Sequence, residues 1–259
     1  MTDLQQDQEA AYALEGAAAR GRFVLCCEHA SNHFPARWGD LGLDAPARSA
    51  HIAWDPGALG LARALAARLE AALIHATASR LIYDLNRPPQ SPGAMPARSE
   101  IYDVPGNRAI TPEARLARTE ALYLPYHAAV SAEIARRLAL GLRPVLVTVH
   151  SFTPVYFGRP RAVELGVIHD ADPALATAFL EEVRARTSLD ARLNEPYSAA
   201  DEVTHALALH ATPMGIANVM IELRNDLIAT AAQQEAMADQ LAPALTAALA
   251  RLAETEEAA

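Results

Sequence analysis

Residues 145–151 read VLVTVHS and residues 23–29 read FVLCCEH, and the architecture of the chain follows from these two runs. Each run is apolar, is rich in residues suited to a buried strand, and ends in a polar cluster that contains a histidine. In open α/β sheets, ligands collect beyond the carboxyl ends of the strands. His29 and His150 would therefore meet at that edge, where two imidazoles can share one metal ion.

The flanking sequence alternates strand runs with helical patterns. A helix is predicted over 57–72, where Leu61, Leu65 and Leu69 form one apolar stripe and Arg63 faces away. The alternation predicts a single α/β domain over 1–259. Further strands are predicted at 73–77, 162–168, 191–194 and 217–224, and further helices at 111–140, 173–187, 203–210 and 230–252.

Residues 88–108 are rich in proline and glycine, a density that forbids a helix or a central strand. Loops of that length in compact domains are usually functional or disordered. We interpret this loop as a substrate lid, with a surface excursion as the alternative. After it, Thr111 and Pro112 form a good helix start, and Pro125 predicts a bend in the helix that follows.

Composition excludes several classes of function. The chain has 259 residues and a formal charge of -9, with no basic stripe, which argues against nucleic acid or an anionic membrane as partner. It contains no lysine, so Schiff-base and lysine-activated mechanisms are excluded and guanidinium groups are the only permanent cationic side chains. We expect a small-molecule substrate, and the sequence leaves the oligomeric state open.

The cysteines and the first residues indicate a cytoplasmic protein. The chain has two cysteines, Cys26 and Cys27, which are adjacent and so would point to opposite faces of a sheet. A disulfide is excluded, and we interpret both as small buried hydrophobes in a reducing compartment rather than as catalytic thiols. The first residues lack a signal peptide, and no stretch reaches the ~20 apolar residues of a membrane span.

A catalytic zinc ion commonly has three protein ligands, often two histidines and a carboxylate, and an open position. His29 and His150 supply the imidazoles, although either could be an ordinary strand-end histidine. The acid is Asp55 or Glu28. We favour Asp55, because Glu28 would point away from His29 if it lies in the strand; Asp55 could instead cap the next helix.

Glu222 follows the apolar run of the last strand and is our candidate for general acid and base. A glutamate there is costly to bury without a charged or metal partner. It could take a proton from metal-bound water and pass it to the leaving nitrogen. It could also simply pair with Arg224 or Arg80.

The run SRLIYDLNRPP at 79–89 is a candidate carboxylate site. Arginine beside an asparagine amide can hold a carboxylate by parallel hydrogen bonds, although an arginine here could instead pair with Asp84. Further cations near strand ends could polarise a carbonyl or stabilise an oxyanion, namely Arg159, Arg161 and Arg224.

Taken together, these stretches resemble the N-formylglutamate amidohydrolase family, within the zinc carboxypeptidase-like hydrolases. One departure from carboxypeptidase-like enzymes is Asn32, which stands where an H-x-x-E motif has its acidic ligand, so the acid must come from elsewhere. The most specific stretch is Asp84–Pro89. The matching stretches are Glu28–Ser31, Trp54–Asp55, Ser79–Pro89, Pro125–His127, His150–Ser151 and Glu222–Leu227.

The resemblance implies a phosphorylase/hydrolase-like fold, with a mixed, mostly parallel sheet between layers of helices. It also implies zinc-dependent cleavage of an N-acyl amino acid such as N-formylglutamate. Carried over by motif, His29 and His150 look like zinc ligands, Asn86 and Arg87 like carboxylate holders, and Glu222 like the catalytic acid and base. Asp55 completes our predicted metal site, Arg224 our catalytic set, and Arg80, Ser151 and Arg159 our substrate-binding set.

In the mechanism that we predict, zinc lowers the pKa of its water to about 7 while Glu222 removes the proton. Glu222 then protonates the amine. The nearest alternative is a zinc peptidase or deacylase acting on another N-acyl amino acid, and the rival from another class is a non-catalytic protein that binds a small acid. No G-x-S-x-G elbow and no glycine-rich phosphate loop is present, which disfavours a serine hydrolase and nucleotide chemistry.

Overall fold

The computed structural model describes residues 10–257, so the first nine and last two residues of the predicted domain lie outside the described residues. The strands are, in chain order, β1 (Tyr12–Glu15), β2 (Phe23–Cys27), β3 (Ala72–Ala76), β4 (Arg98–Ser99), β5 (Tyr102–Asp103), β6 (Val145–Phe152), β7 (Val155–Tyr156), β8 (Arg159–Pro160), β9 (Leu165–Ile168), β10 (Ala191–Leu193) and β11 (Ala217–Arg224).

Seven of these strands form one sheet in the order β1-β3-β2-β6-β11-β9-β10. The neighbours β3, β2, β6 and β11 are all parallel, as are β9 and β10. Antiparallel pairs join β1 to β3 and β11 to β9. The predicted mixed, mostly parallel sheet is confirmed, and the carboxyl ends of β2, β6 and β11 lie side by side at its centre.

Helices cover both faces of this sheet. α2, α5 and α7 contribute to the core on one face, and α1, α4 and α6 contribute to the core on the other. The predicted α/β architecture with helix layers is therefore confirmed. The helices are α1 (Ala45–Ser49), α2 (Ala58–Arg68), α3 (Pro112–Arg118), α4 (Leu124–Ala139), α5 (Ala174–Arg186), α6 (His205–His210) and α7 (Ala231–Glu257).

Alternation along the strands decides which side chain enters which core. In β2, Leu25 and Cys27 belong to the core beneath α2 and α7, whereas Val24 and Cys26 belong to the opposite core. Both cysteines are fully buried, as predicted, and burial raises the pKa of each thiol. The same alternation places His150 and Glu222 on the Cys26 face, because their strands are in register with β2.

The structure departs from the predicted elements at several places, and neither the short helix α1 nor the hairpin β7–β8 was predicted. The edge strand β1 was not predicted. The proline-rich segment is largely irregular, as expected, but contains the short hairpin β4–β5. The helix predicted over 111–140 is interrupted by one π-helical turn, Thr119–Tyr123, just before Pro125, which lacks the N–H that a regular helix needs there.

Within residues 10–257, no helix is both long and apolar enough to cross a bilayer.

Candidate metal centre and catalytic cavity

The ends of the central strands bring the predicted metal ligands together. His29 lies just beyond the end of β2, and His150 lies in β6. Asp55 comes from the turn before α2, where its backbone N–H donates to the carbonyl of His29 at 2.9 Å. That hydrogen bond ties the turn to the end of β2, so the three side chains converge although they are far apart in sequence.

Three atoms of these residues form a nearly equilateral triangle. The Nδ1 atoms of His29 and His150 are 3.1 Å apart, and Asp55 Oδ2 lies 3.2 Å from the first and 3.0 Å from the second. Ligand atoms about 2.0–2.2 Å from a tetrahedral zinc ion lie about 3.3–3.6 Å apart, so the triangle is close to one face of such a site. All three residues are buried.

The other nitrogen of each imidazole faces a second carboxylate. His29 Nε2 lies 2.7 Å from Asp84 Oδ1, and His150 Nε2 lies 3.1 Å from Glu28 Oε2. The first contact is a hydrogen bond; the second is at ion-pair distance without hydrogen-bond geometry. A proton on each Nε2 leaves both Nδ1 lone pairs directed at Asp55, which is the arrangement found around metal-bound histidines.

The electrostatics of this cluster favour a cation. Burial favours the neutral acid, but the charges and hydrogen bonds of His29 and His150 hold the pKa of Asp55 below its usual range. Burial likewise disfavours a charged imidazole, yet Asp55 and Glu28 raise the pKa of His150. Two imidazoles and a carboxylate are also the donor types that zinc prefers, so the residues present fit the predicted ion.

Glu222 stands beside this triangle, because its position in β11 pairs in register with His150 in β6. Its side chain is buried, and its Oε2 has no hydrogen-bond partner among the described residues. Burial, opposed by the charge of His150, raises the pKa of Glu222 to about 7. On the other side, Gly166 in β9 leaves room for it, since a Cβ there would lie 3.2 Å from Glu222 Cβ.

A cavity of about 320 Å³ opens onto these groups. The volume suits a small molecule rather than a polymer. Seven predicted site residues line it: His29, Asp55, Arg80, Asn86, Arg87, Ser151 and Glu222. Ser99 and Glu100 of the proline-rich segment also line it, so the loop interpreted as a lid lies at the cavity.

Arg80 lines the cavity, but carboxylates already surround its guanidinium. Its Nε and Nη2 donate to Asp84 Oδ2 at 3.1 and 2.5 Å, and its Nη1 donates to Asp55 Oδ1 at 3.3 Å. Arg80 thus pairs with Asp84, which was the alternative to substrate-carboxylate binding for an arginine of the run at 79–89. Its charge offsets two buried acids that flank the metal triangle.

The side chains of Asn86 and Ser151 bind backbone groups. Asn86 Nδ2 donates to the carbonyl of Val203, and Asn86 Oδ1 accepts from the N–H of Ala206 at 3.0 Å. Ser151 donates through Oγ to the carbonyl of Pro56 at 2.8 Å, and its N–H donates to Asp55 Oδ2 at 3.2 Å. Asn86 therefore anchors the segment before α6, and Ser151 supports Asp55.

Arg87 keeps donors that no carboxylate occupies. Its Nη1 donates to the carbonyls of Asn86 and Glu202, and no described acid forms an ion pair with it. Arg87 is therefore the cation on this wall that is free to take up an anion. Carboxylate binding by Arg80, Asn86 and Arg87 stays a prediction, and all three line the cavity.

Besides His150, which belongs to the metal triangle, two predicted site residues lie outside the cavity lining. Arg224 donates to Asp226 at 2.8 Å and lies 3.4 Å from Glu164, so two carboxylates lie beside its guanidinium. Arg159 is exposed in the hairpin β7–β8. Their predicted roles in catalysis and substrate binding stay predictions, and these positions offer them no contact with the metal triangle.

Sequence reasoning missed the two acids behind the histidines. Asp84 was considered only as a partner of an arginine, and Glu28 only as a rival metal ligand. The signal for Asp84 was its position at the start of the most specific stretch, Asp84–Pro89. For Glu28 the signal was strand alternation, which places it and His150 on the same face of the neighbouring strands β2 and β6.

Comparison with known proteins gives a consistent family and fold. The family model of N-formylglutamate amidohydrolase matches residues 21–229. A gene product of Agrobacterium tumefaciens with a crystal structure is 51% identical, with 95% of this chain and 97% of that chain covered and a TM-score of 0.92. The N-formylglutamate amidohydrolase of Ralstonia eutropha is 20% identical, with 94% and 97% covered and a TM-score of 0.62, a likeness of fold. A comparison with curated proteins found no match.

Proposed function

The chain belongs to the N-formylglutamate amidohydrolase family, and on that premise we propose that it is a zinc-dependent amidohydrolase that cleaves N-formyl or N-acyl amino acids such as N-formylglutamate. The observation that carries the proposal is the triangle of His29, His150 and Asp55, whose three facing atoms are all metal-ligand types. Glu222 supports it further, since a buried carboxylate with an unpartnered oxygen stands next to that triangle.

In this proposal, a zinc ion held by His29, Asp55 and His150 polarises the acyl carbonyl and acidifies the attacking water when it is bound. Glu222 accepts the proton of that water, for which a pKa of about 7 is well suited. As the C–N bond breaks, Glu222 gives the proton to the amine nitrogen. The charge on Glu222 is thus restored at the end of the turnover.

The substrate carboxylate is assigned to Arg87, which lines the cavity and has no acidic partner among the described residues. Arg80 would contribute less direct attraction, because Asp84 and Asp55 already neutralise it. A small acidic amino acid derivative also suits the cavity volume of about 320 Å³.

The metal part of the proposal is tested by metal content. Protein purified without chelator should hold about one zinc ion per chain, and His150→Ala should remove most of it. His75→Ala is the matched control, because His75 is buried in β3 and pairs with Glu15 rather than with the triangle. Equal zinc content in wild type and His150→Ala would refute the ligand assignment.

The catalytic part is tested by release of the free amine from N-formyl, N-acetyl and peptide derivatives of glutamate, aspartate and glutamine. Glu222→Gln should retain zinc but lose roughly 10²–10⁴-fold in turnover. Glu181→Gln, a change at an exposed residue of α5, controls for the substitution itself. A zinc-loaded wild type that binds these acids and hydrolyses none of them would favour the non-catalytic binder.

A further inference from the structure

Tyr197 lines the same cavity as Glu222 and Arg80, and neither the sequence analysis nor the proposed function gives it a role. It precedes α6 in the chain, far in sequence from the strand ends that carry the metal triangle. Its side chain is partly buried, and its hydroxyl reaches Arg161, where it accepts a hydrogen bond from Nη2 at 2.9 Å.

Arg161 has an unusual environment for a guanidinium. Its Cζ lies 5.3 Å from the ring centre of Phe152, 4.4 Å from that of Tyr156 and 5.0 Å from that of Tyr197. Three aromatic faces therefore hold one cation in place. These three rings line the cavity, whereas Arg161 is not part of its lining.

No carboxylate neutralises this arginine. Within the described part of the chain, Arg161 forms no ion pair, and its buried Nη1 has no hydrogen-bond partner. A guanidinium without an acidic partner keeps its electrostatic effect on the side chain to which it donates a hydrogen bond. That side chain is Tyr197.

The direction of the hydrogen bond follows from chemistry. Arginine only donates, so the phenol oxygen of Tyr197 accepts and its own hydrogen remains available. No described residue accepts that hydrogen. Burial, followed by the nearby Glu222 carboxylate, raises the pKa of Tyr197 to about 12, so the phenol keeps its hydrogen at neutral pH. A charged donor behind the oxygen also makes the phenol a stronger donor.

We propose that Tyr197 is a catalytic residue that donates a hydrogen bond to the acyl oxygen as negative charge develops on it, and that Arg161 is the positioning residue that orients and polarises the phenol. This inference rests on the proposed amide hydrolysis. No proton leaves Tyr197: the proton of the attacking water goes to Glu222 and then to the amine, and the phenol only stabilises charge.

The neighbours of Tyr197 favour this role over holding the substrate carboxylate. Glu222 and Asp201 line the same cavity as Tyr197, and their charge would repel a permanent anion near them. The cation with free donors, Arg87, lies on the loop that carries Asn86. A neutral donor that is already held in place, such as this phenol, can stabilise a negative charge that forms on the acyl oxygen only in the transition state.

The test is a double-mutant cycle on the zinc-loaded protein. Tyr197→Phe should lower kcat by roughly 10²–10³-fold with little change in KM, as expected for an oxyanion donor. Arg161→Gln should lower kcat in wild type but cause no further loss in the Tyr197→Phe background, because it acts through the phenol. Tyr12→Phe in β1, outside the cavity lining, is the matched control and should keep wild-type turnover.

A second readout avoids dependence on the substrate. Acetohydroxamate, which binds zinc through its oxygens, should bind at least about tenfold more weakly to zinc-loaded Tyr197→Phe than to wild type, measured by calorimetry, since one hydrogen bond to a charged oxygen is lost. If wild type binds acetohydroxamate in this way but hydrolyses no N-acyl amino acid, the proposed function fails and with it the catalytic role of Tyr197, whereas the hydrogen bond from its phenol to a zinc-bound oxygen stands.

Three results would overturn the inference itself. They are unchanged kcat and acetohydroxamate affinity in Tyr197→Phe, a rise in KM alone in that variant, or losses from the two substitutions that simply multiply. In each case the zinc content and the hydrolysis by wild type would still report on the proposed function separately.

Discussion

His29 and Asp84 are joined by a contact of 2.7 Å between Nε2 and Oδ1, although 55 positions separate them in the chain. The other oxygen of Asp84 pairs with Arg80, so the carboxylate is fixed on both sides. An acid in this position fixes the tautomer of the imidazole and makes its Nδ1 a better ligand. Asp84 should therefore act on the metal without touching it.

Asp84→Asn should weaken zinc binding about 10–100-fold, because the loss of the carboxylate lowers the basicity of His29. The measurement is competition for zinc against a chelator of known affinity. Asp190→Asn, which removes an acid paired with Arg192 on the surface, is the control. Zinc affinity within about twofold of wild type would mean that Asp84 only pairs with Arg80.

Gly166→Ala should reduce both stability and turnover. A Cβ at this position would lie 2.2 Å from the carbonyl oxygen of Glu195 and 3.2 Å from Glu222 Cβ, so β9 or Glu222 must shift. Overpacking of this kind costs typically 1–3 kcal/mol of the free energy of unfolding, measured with urea. Turnover should fall as well, because Glu222 would be displaced from His150.

Gly141→Ala serves as the control for this substitution. Nothing lies within 4 Å of a Cβ at Gly141, but its φ of +73° is left-handed, so a cost of about 1–2 kcal/mol comes from the backbone alone. Its turnover should stay at the wild-type value. Wild-type turnover in Gly166→Ala would show that the position of Glu222 does not depend on this contact.

Much of this site could be predicted from local patterns. The apolar runs before His29 and His150 define strands, and parallel strands necessarily bring their carboxyl ends to one edge. The choice of Asp55 over Glu28 rested on alternation, which turns neighbouring side chains of a strand to opposite faces and so would point Glu28 away from His29. In the structure Glu28 lies against His150 instead. These features depend on residues near in sequence, where periodicity is informative.

Contacts between distant segments were not predictable in the same way. Nothing in the local sequence links Arg161 to Tyr197, or the amide of Asn86 to the backbone of Val203. Arg224 was predicted to be a catalytic cation because it lies near a strand end, and its sequence did not indicate that Asp226 and Glu164 would lie beside it. The sequence shows which groups are charged, but the fold decides which charges neutralise one another.

Arg87→Ala should chiefly raise the KM for substrates with a free carboxylate. A charge-assisted hydrogen bond contributes roughly 1.5–3 kcal/mol, so we expect a rise of about 10–100-fold with a smaller change in kcat. An amide analogue without the carboxylate should be affected little. Arg108→Ala, at an exposed arginine paired with Asp103, is the control. Equal effects on acid and amide substrates would contradict carboxylate binding by Arg87.

His127 and His210 lead to a prediction about pH and stability. His127 Nε2 donates to the carbonyl of Leu85 at 3.0 Å, and its Nδ1 accepts from His210 Nε2 at 2.8 Å, so both rings are neutral. Burial, and in second place the charge of the neighbouring histidines, lowers the pKa of His127 to about 3. Burial is also the main reason why the pKa of His210 is lowered to about 4. The unfolded chain takes up these two protons near pH 6.5, well before the folded protein does.

The free energy of unfolding should therefore fall as the pH drops from about 6.5 towards 4, by about 1.4 kcal/mol per pH unit for each histidine. Above pH 6.5 both rings are neutral in both states, so this contribution is constant there. Urea unfolding at several pH values, with chelator present so that metal release adds nothing, gives the slope. Replacing His210 by Gln should reduce the dependence of the free energy of unfolding on pH by the contribution of one histidine. NMR titration of the imidazole carbons in the folded protein would show the low pKa values directly. An unaltered slope in His210→Gln, or imidazoles that titrate near pH 6.5 in the folded state, would mean that this buried pair accepts charge and that another group destabilises the protein in acid.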